Sequence, residues 1–477
     1  MYNLRDIDII IMLRIFRQYY PIRNIFFFIG EGLAIYISVL IASWILLKAE
    51  SFPFDLWLYL RIFLITFTCL TSLYYNDLYD FKVTDSFLEL GIRLLQALGA
   101  SAIFLAAIYI IFPEAIVGHG IFALSIGFVI VFIVSWRFFY KLILTHGIFD
   151  QNIILLGSGN LAKNIMDEIN QRKDSGYTVS INVQESSGSN DVADKGNIKK
   201  TSYKKDYEGL CDMAQELKIN KIVVALTEKR GEFPTKELLK CRVSGIEIIE
   251  GTSFYEMLSG KLIVTQLNPS WLIFSKGFHK SRIRRFLKRT MDLIFSVALL
   301  ILLSPVILVT AVLIKINSTG PVIFLQERVG KNKRTYLVYK FRSMIADAER
   351  ESGPVWAKDN DCRITRVGKV IRKWRVDEIP QLWNVLKGDM SFVGPRPERE
   401  FFVKKLEDII PYFGERFSAK PGITGWAQVC YGYGASVEDS TEKLNYDLFY
   451  IKNMSIFMDL MIIMRTIKIV LFGKGAR

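Results

Sequence analysis

Cysteine and histidine are scarce in this chain, five and three among 477 residues. Cys69, Cys211, Cys241, Cys362 and Cys430 lie far apart, with no CxxC or CxxxC pair. That spacing excludes a disulfide framework and a thiolate metal site. His119, His146 and His279 form neither HExxH nor HxH, so histidine-based metal chemistry has no candidate. Aromatic RNP motifs, zinc-finger spacings and basic heptads are also missing, so no nucleic-acid partner is expected. The net charge of +14 is instead read as a preference for an anionic membrane face or phosphorylated substrates. Any chemistry here falls to carboxylates, hydroxyls, lysine and arginine.

Apolar sequence, by contrast, is plentiful and comes in blocks. Mean hydropathy is +0.26 although 23% of residues are charged. Four apolar stretches, about 25–47, 58–75, 90–112 and 121–140, each approach the roughly 20 residues a helix needs to cross a bilayer. The first follows a charged segment and ends in Lys48, Ala49 and Glu50 without a cleavage pattern, so it is not read as a signal peptide. Arg5, Arg14, Arg17 and Arg23 precede the first stretch, Lys82 follows the second, and Arg137 and Lys141 close the fourth. The loop 113–120 carries no Lys or Arg, which puts both ends of the unit on the cytoplasmic side. Arg61 and Arg93 near span ends are read as snorkelling.

From residue 152 the pattern changes to strands alternating with helices, the signature of a parallel α/β sheet of Rossmann type. Strand-like runs occupy 152–157, 178–183, 221–226 and 246–249, and the polar segment 185–206 reads as an exposed loop. Gly157, Gly159 and Ala162 form a GxGxxA pattern, but Glu185 lies later than a ribose-binding acid should. The glycines are therefore read as serving the strand–helix turn alone.

A fifth apolar block, 291–316, has basic residues on both flanks: Arg282 to Arg289 before it, Lys315, Arg328, Lys331, Lys333 and Arg334 after it. A simple span would place one cluster outside, against the charge rule. Ser304-Pro305 at its middle removes a helix hydrogen bond and forces a bend. A re-entrant helix–break–helix hairpin returning to the same face satisfies both, with the Ser304 hydroxyl as a partner for freed backbone groups.

Downstream, Asp377-Glu378 stands within about a turn of Arg372, Lys373 and Arg375. An acidic pair alone means little, but neighbouring cations keep a carboxylate ionised, as a nucleophile requires. Glu378 is also suited to a hard cation such as Mg²⁺. The segment 456–472, apolar but interrupted by Asp459, Arg465 and Lys468, reads as an interfacial amphipathic helix, or alternatively as one packed in the catalytic core.

The motifs KFRSM (340–344), VDEIPQLWNVLKGDMSFVGPRPE (376–398) and KPGITGWAQV (420–429) make 282–477 resemble the bacterial sugar transferases, the polyprenyl-phosphate hexose-1-phosphate transferases. The upstream parts are similar to long-form members such as the galactose phosphotransferases, and the ending to PEP-CTERM-associated exopolysaccharide transferases. The resemblance implies a membrane protein in three parts. These are a four-helix transmembrane bundle (1–145), a cytoplasmic α/β Rossmann-like, CoA-binding-like domain (146–275), and a mainly helical monotopic catalytic domain with a re-entrant hairpin (282–477). It assigns Asp377 as nucleophile, Glu378 and Asp377 as Mg²⁺ ligands, and Lys340, Arg342, Arg372 and Arg396 as substrate-binding. Ser304-Pro305 matches the hairpin break. Arg375-Val376 departs from the Ser-Leu common in the family.

The implied reaction transfers a sugar 1-phosphate from a UDP-sugar to a polyprenyl phosphate lipid through an aspartyl phosphosugar, releasing UMP. The implied location is the cytoplasmic face of the bacterial inner membrane, with a homodimer as one option. Two other readings stay open: a non-catalytic assembly platform, and a membrane nucleotide-sugar dehydratase. The dehydratase lacks a YxxxK pair after the fourth strand.

Overall fold

The computed structural model describes residues 12–15, 18–47, 55–79, 87–118, 120–145, 150–172, 175–184, 200–203, 207–226, 233–267, 269–275, 277–278, 280–345, 363–432, 434 and 436–472. A short antiparallel pair, β1 (Met12–Ile15) and β2 (Gln18–Pro21), leads into four helices. These are α1 (Ile22–Leu46), α2 (Leu56–Tyr75), α3 (Phe87–Ile111) and α4 (Ile121–Thr145). All four are long and apolar enough to cross a membrane. Hydroxyls within them bond back to the carbonyl four residues earlier, as Ser43 does to Val39 and Thr66 to Ile62, which satisfies those donors inside their own helix. Gly30 lets α1 meet α4 closely, since a Cβ would sit 2.0 Å from the Trp136 ring. Beside it, Glu31 and Arg137 form a buried ion pair at 2.6 Å. Arg93, read as snorkelling, also has partners in the protein. It pairs with Glu89 at 2.9 Å and Asp77 at 3.5 Å, because both acids lie within its reach inside the bundle's rim.

The second unit contains β3 (Gln151–Leu156), α5 (Asn160–Gln171), β4 (Tyr177–Gln184), β5 (Lys200–Tyr203), α6 (Leu210–Glu216), β6 (Lys221–Val224), α7 (Thr235–Val243), β7 (Glu247–Glu250), α8 (Gly251–Ser259) and α9 (Pro269–Phe274). Its five parallel strands run in the order β5-β4-β3-β6-β7. The strand expectations are met, with one addition: β5 lies inside the segment read as loop. Its sequence Lys-Thr-Ser-Tyr lacks the apolar run of a buried strand because it pairs with β4 alone at the sheet's edge. Gly157, at φ +129°, ends β3 where a Cβ would lie 2.5 Å from the Ala225 carbonyl oxygen. Gly157 thus lets the end of β3 pass close to the chain leaving β6 at the strand–helix turn. Glu185 lies outside the described residues.

The third unit opens with α10 (Arg282–Leu302) and α11 (Ser304–Asn317), bent by 61° at their junction. Pro305 occupies the first turn of α11, where its missing N–H costs nothing. The Ser304 hydroxyl donates to the Ile301 carbonyl at 2.8 Å, the service expected of it. There follow β8 (Ile323–Val329) and β9 (Thr335–Phe341), antiparallel to each other, then α12 (Arg366–Lys373) and α13 (Gln381–Lys387). Next come β10 (Ser391–Val393), α14 (Glu400–Ile409), β11 (Gly422–Thr424, parallel to β10), α15 (Trp426–Cys430), α16 (Val437–Asn453) and α17 (Ile456–Leu471). The core gathers Phe413, Trp426, Leu448, Tyr450, Met458 and Ile462.

Both readings of α17 find support: Leu460, Met464, Ile467 and Leu471 form an exposed apolar face, as the interfacial one expects, while Met458, Asp459 and Ile462 pack into the core. Each polar interruption finds a partner within the protein: Asp459 with Lys288 at 2.8 Å, Arg465 over the Trp426 ring, Lys468 with Asp77 at 2.6 Å. Polar residues that spoil an apolar helix are tolerable when satisfied internally. The second and third units are bolted together by Glu256 of α8, which accepts from Lys452 at 2.6 Å and Asn453 at 3.0 Å on α16. The Trp426 indole adds a bond to the Gly260 carbonyl at 2.8 Å.

Candidate active site

Two close backbone approaches and one side-chain clamp build the site. Gly368 near the start of α12 lies against the Ser343 carbonyl, where a Cβ would fall 1.9 Å away, and the Thr365 side chain caps that helix by accepting from Gly368 N at 2.9 Å. This brings α12 beside the end of β9. At the other end Arg375 adopts the left-handed conformation (φ 52°), which stops α12 and turns the chain into a single 3₁₀ turn, Val376–Glu378. Pro380 and α13 follow directly. Asn384 then clamps α13 to β9, accepting from Tyr339 N at 3.0 Å and donating to the Leu337 carbonyl at 2.7 Å. In sequence the only signal of this clamp is a lone asparagine among the apolar residues of 382–386; its full burial is seen in the fold.

The remaining approach joins two motifs far apart in sequence. Gly394 N bonds to the Thr424 carbonyl and Gly422 N to the Pro395 carbonyl, both at 2.9 Å. A Cβ on Gly422 would lie 2.1 Å from Gly394 N. The glycines of GPRP and KPGITG are therefore each other's reason. Their contact holds Arg396 opposite the 3₁₀ turn. Behind it, buried Arg416 donates to the Arg396 carbonyl at 3.1 Å and pairs with buried Asp447 at 2.8 Å. Burial pushes the Asp447 carboxyl up to about 6 against the pull of Arg416. Neither residue was singled out by sequence, since only the fold brings α16 beneath that loop.

At the centre, Glu378 is saturated with cations. Its carboxylate meets Arg396 at 2.9 Å, Arg375 at 3.4 Å and Lys340 at 3.5 Å. Burial opposes ionisation, but those charges, Arg396 foremost, hold Glu378 well below the usual carboxylate range. Asp377 has neither a hydrogen bond nor an ion pair among the described residues. Burial and the Glu378 charge raise it to about 6, with Lys340, Arg372 and Arg396 pulling the other way. The expectation that neighbouring cations would hold Asp377 ionised thus needs amending: its neighbour takes most of their effect. Burial also holds Lys340 below the ordinary lysine range.

Arg372 completes the group electrostatically. Its Nη1 is buried without a hydrogen-bond partner, a donor in reserve beside Asp377. Asp377, Glu378, Lys340, Arg372 and Arg396 are therefore brought together as expected. Arg342 is not. Its guanidinium donates to the Thr319 carbonyl at 2.7 Å and to the Ser318 carbonyl and hydroxyl at 2.8 Å, closing the end of α11. Successive strand residues point to opposite faces, but Arg342 has already left β9, so its spacing from Lys340 does not carry it to the same place. Ser304 and Pro305 sit at the bend between α10 and α11. Among the described residues no three His, Cys, Asp or Glu side chains converge as a metal cluster.

Residues 283–473 match the family model described as bacterial sugar transferase, and residues 75–249 that of a CoA-binding domain. The second match begins at the end of α2, well before the boundary expected at 146. An undecaprenyl-phosphate galactose phosphotransferase of Salmonella typhimurium is 30% identical over 373 residues, covering 72% of this chain and 76% of that protein. A UDP-N-acetylgalactosamine-undecaprenyl-phosphate N-acetylgalactosaminephosphotransferase of Aeromonas hydrophila is 46% identical over 240 residues, covering 50% of this chain and 56% of the relative. An undecaprenyl-phosphate glucose phosphotransferase of Komagataeibacter xylinus is 41% identical over 194 residues, 40% of this chain and 36% of the relative. The chain thus spans about half, or less, of the length of the last two relatives.

Proposed function

The chain belongs to the bacterial sugar transferase family, and we propose that it transfers a sugar 1-phosphate from a UDP-sugar to undecaprenyl phosphate, with Asp377 as nucleophile. The observation that carries this reading is the division of labour in the acidic pair. Glu378 absorbs three cations, while Asp377 keeps both oxygens uncommitted beside the unpaired Nη1 of Arg372.

In the proposed reaction an Asp377 oxygen attacks the sugar-bearing phosphorus, forming an O–P bond as the bond to UMP breaks. An oxygen of the lipid phosphate then attacks the same phosphorus, releasing polyprenyl diphosphate sugar and restoring the carboxylate. Positioning and charge dispersal are the main tasks left to a protein in phosphoryl transfer. Arg372 is suited to receive a phosphoryl oxygen, and Lys340 and Arg396 hold Glu378 as a fixed counter-charge. Mg²⁺ finds only part of its expected pair here, since Glu378 already meets three cations; Asp377, completed by phosphate oxygens and water, would hold it. When bound it would neutralise phosphoryl charge.

The hairpin is read as re-entrant on the cytoplasmic face of the bacterial inner membrane. Support comes from its two ends: Arg289 near the start of α10 and Ser318-Thr319 after α11 both bond to the catalytic unit, while Ile301, Leu302, Val306, Leu308 and Val309 around the bend are exposed. A lipid phosphate pinned at the interface would then meet a water-soluble nucleotide sugar at Asp377.

The test is UMP release in membranes from UDP-N-acetylgalactosamine, UDP-galactose and UDP-glucose, with and without undecaprenyl phosphate. Release from at least one donor is expected, with turnover only when the lipid is present. No release from any donor would return the assembly-platform reading. The acid limb gives a further prediction. Attack requires the Asp377 carboxylate, whose pKa is about 6, so log kcat/KM should rise with unit slope below that pH and level off above it. A limb near pH 4 would mean that the site does not bury Asp377 as described.

A further inference from the structure

We infer that the inward face of α10 is a positioning device for the reaction, setting the two catalytic segments at a fixed separation through Lys288, Arg289 and Asp292. The inference rests on the proposed transfer reaction for its kinetic consequence, but not for its geometry. Residues at i and i+4 share one face of a helix, and Lys288 and Asp292 are so spaced, with Arg289 beside them. On the opposite side the helix is apolar and exposed, at Ile294, Val297 and Ile301.

Each of the three reaches a different backbone group. Asp292, buried, accepts from Phe392 N at 3.0 Å and the Ser391 hydroxyl at 2.8 Å. Lys288 donates to the Val393 carbonyl at 3.0 Å and is itself held by Asp459 at 2.8 Å and the Tyr450 hydroxyl at 3.2 Å. These bonds fix all of β10, three residues before Arg396. Arg289 donates to the Val385 and Leu386 carbonyls at the last turn of α13, the helix that begins three residues after Glu378. One helix therefore grips the segment leading to Arg396 and the segment following Asp377-Glu378. Hydrophobic anchoring of a hairpin would not need buried ionic groups matched to these particular carbonyls and amides, whose burial is costly unless each is paired.

The device has a simple consequence. Loss of one grip should shift the Arg396–Glu378 contact at 2.9 Å without emptying the site. A misplacement of about 1 Å can cost on the order of 10²-fold in rate. In the full-length protein in membranes, Asp292→Ala should therefore lower the rate of the UMP burst about 30-fold, with KM for the UDP-sugar within about threefold. Asp292→Asn keeps an acceptor for Phe392 N and should recover to within about fivefold, whereas Ile294→Ala on the outward face should leave the burst unchanged. Hydrogen exchange supplies a readout independent of activity: amides of 391–396 should exchange faster in Asp292→Ala than in Asp292→Asn. If wild type releases no UMP, the reaction reading fails while the exchange result still decides the inference. Unchanged exchange at 391–396 overturns it. Equal losses of burst and melting temperature in the Ala and Asn variants also overturn it, since that marks general anchoring.

Discussion

Asp377→Asn should abolish UMP release, with a loss on the order of 10⁴-fold or more, as expected when a covalent nucleophile is removed. The amide oxygen keeps the shape of the carboxylate but is too weak a nucleophile to displace UMP. Stability should move the other way. Asp377 has a raised pKa in the folded state, so at neutral pH the fold carries the cost of ionising a buried group beside another negative charge. That cost is absent below the unfolded-state pKa, builds as pH rises from there to about 6, and stays constant above it. The uncharged amide escapes it, and Asp377→Asn is expected to melt at or above the wild-type temperature at pH 7.5. A dead enzyme of undiminished stability separates a catalytic role from a structural one. Normal turnover by this variant would remove Asp377 from the mechanism, and inactivity with a much lower melting temperature would make the residue structural.

Arg396→Ala should give the next largest effect, about 10²- to 10³-fold in kcat/KM, the range for removing one preorganised charge from a phosphoryl or oxyanion site. Arg396 makes the shortest contact to Glu378 and is the leading cause of that carboxylate's low pKa. Removing it leaves a buried carboxylate with only Arg375 and Lys340, at 3.4 and 3.5 Å. The same charge also pulls Asp377 down, so its loss should move the acid limb of the rate profile to higher pH. Arg396→Lys should restore part of the electrostatic effect but not the planar fork. An Ala variant with reduced rate and an unmoved acid limb would mean that Arg396 binds substrate without tuning the pair.

Much of this was legible from sequence because it is local. The bilayer-length apolar blocks, the strand runs of the sheet and the Ser304-Pro305 break each report their structure within a few residues. Asp377, Glu378, Lys340, Arg372 and Arg396 were found through motif resemblance, and the fold does assemble them. What escaped was non-local. Arg342 follows Lys340 by two residues yet serves the end of α11, a choice made by Ser318 and Thr319. Asp459, Arg465 and Lys468 looked like solvated interruptions because their partners Lys288, Trp426 and Asp77 are distant in sequence. The relation between Asp377 and Glu378 was also hidden, since composition shows how many cations lie nearby but not which carboxylate they touch.

The bond from Lys468 to the Tyr74 carbonyl, with its ion pair to Asp77, joins residues about 390 positions apart in the chain. During synthesis the rim of the bundle is made long before its partner exists. Contacts of such separation form late, after the loop-closure entropy has been met by other elements. Of the described elements α17 is the last to leave the ribosome, and it touches the bundle, Trp426 and the foot of α10 at once. It therefore acts as the closing bolt of assembly, and a nascent chain stalled before residue 456 would present a finished apolar bundle beside a catalytic unit that is not yet locked to it.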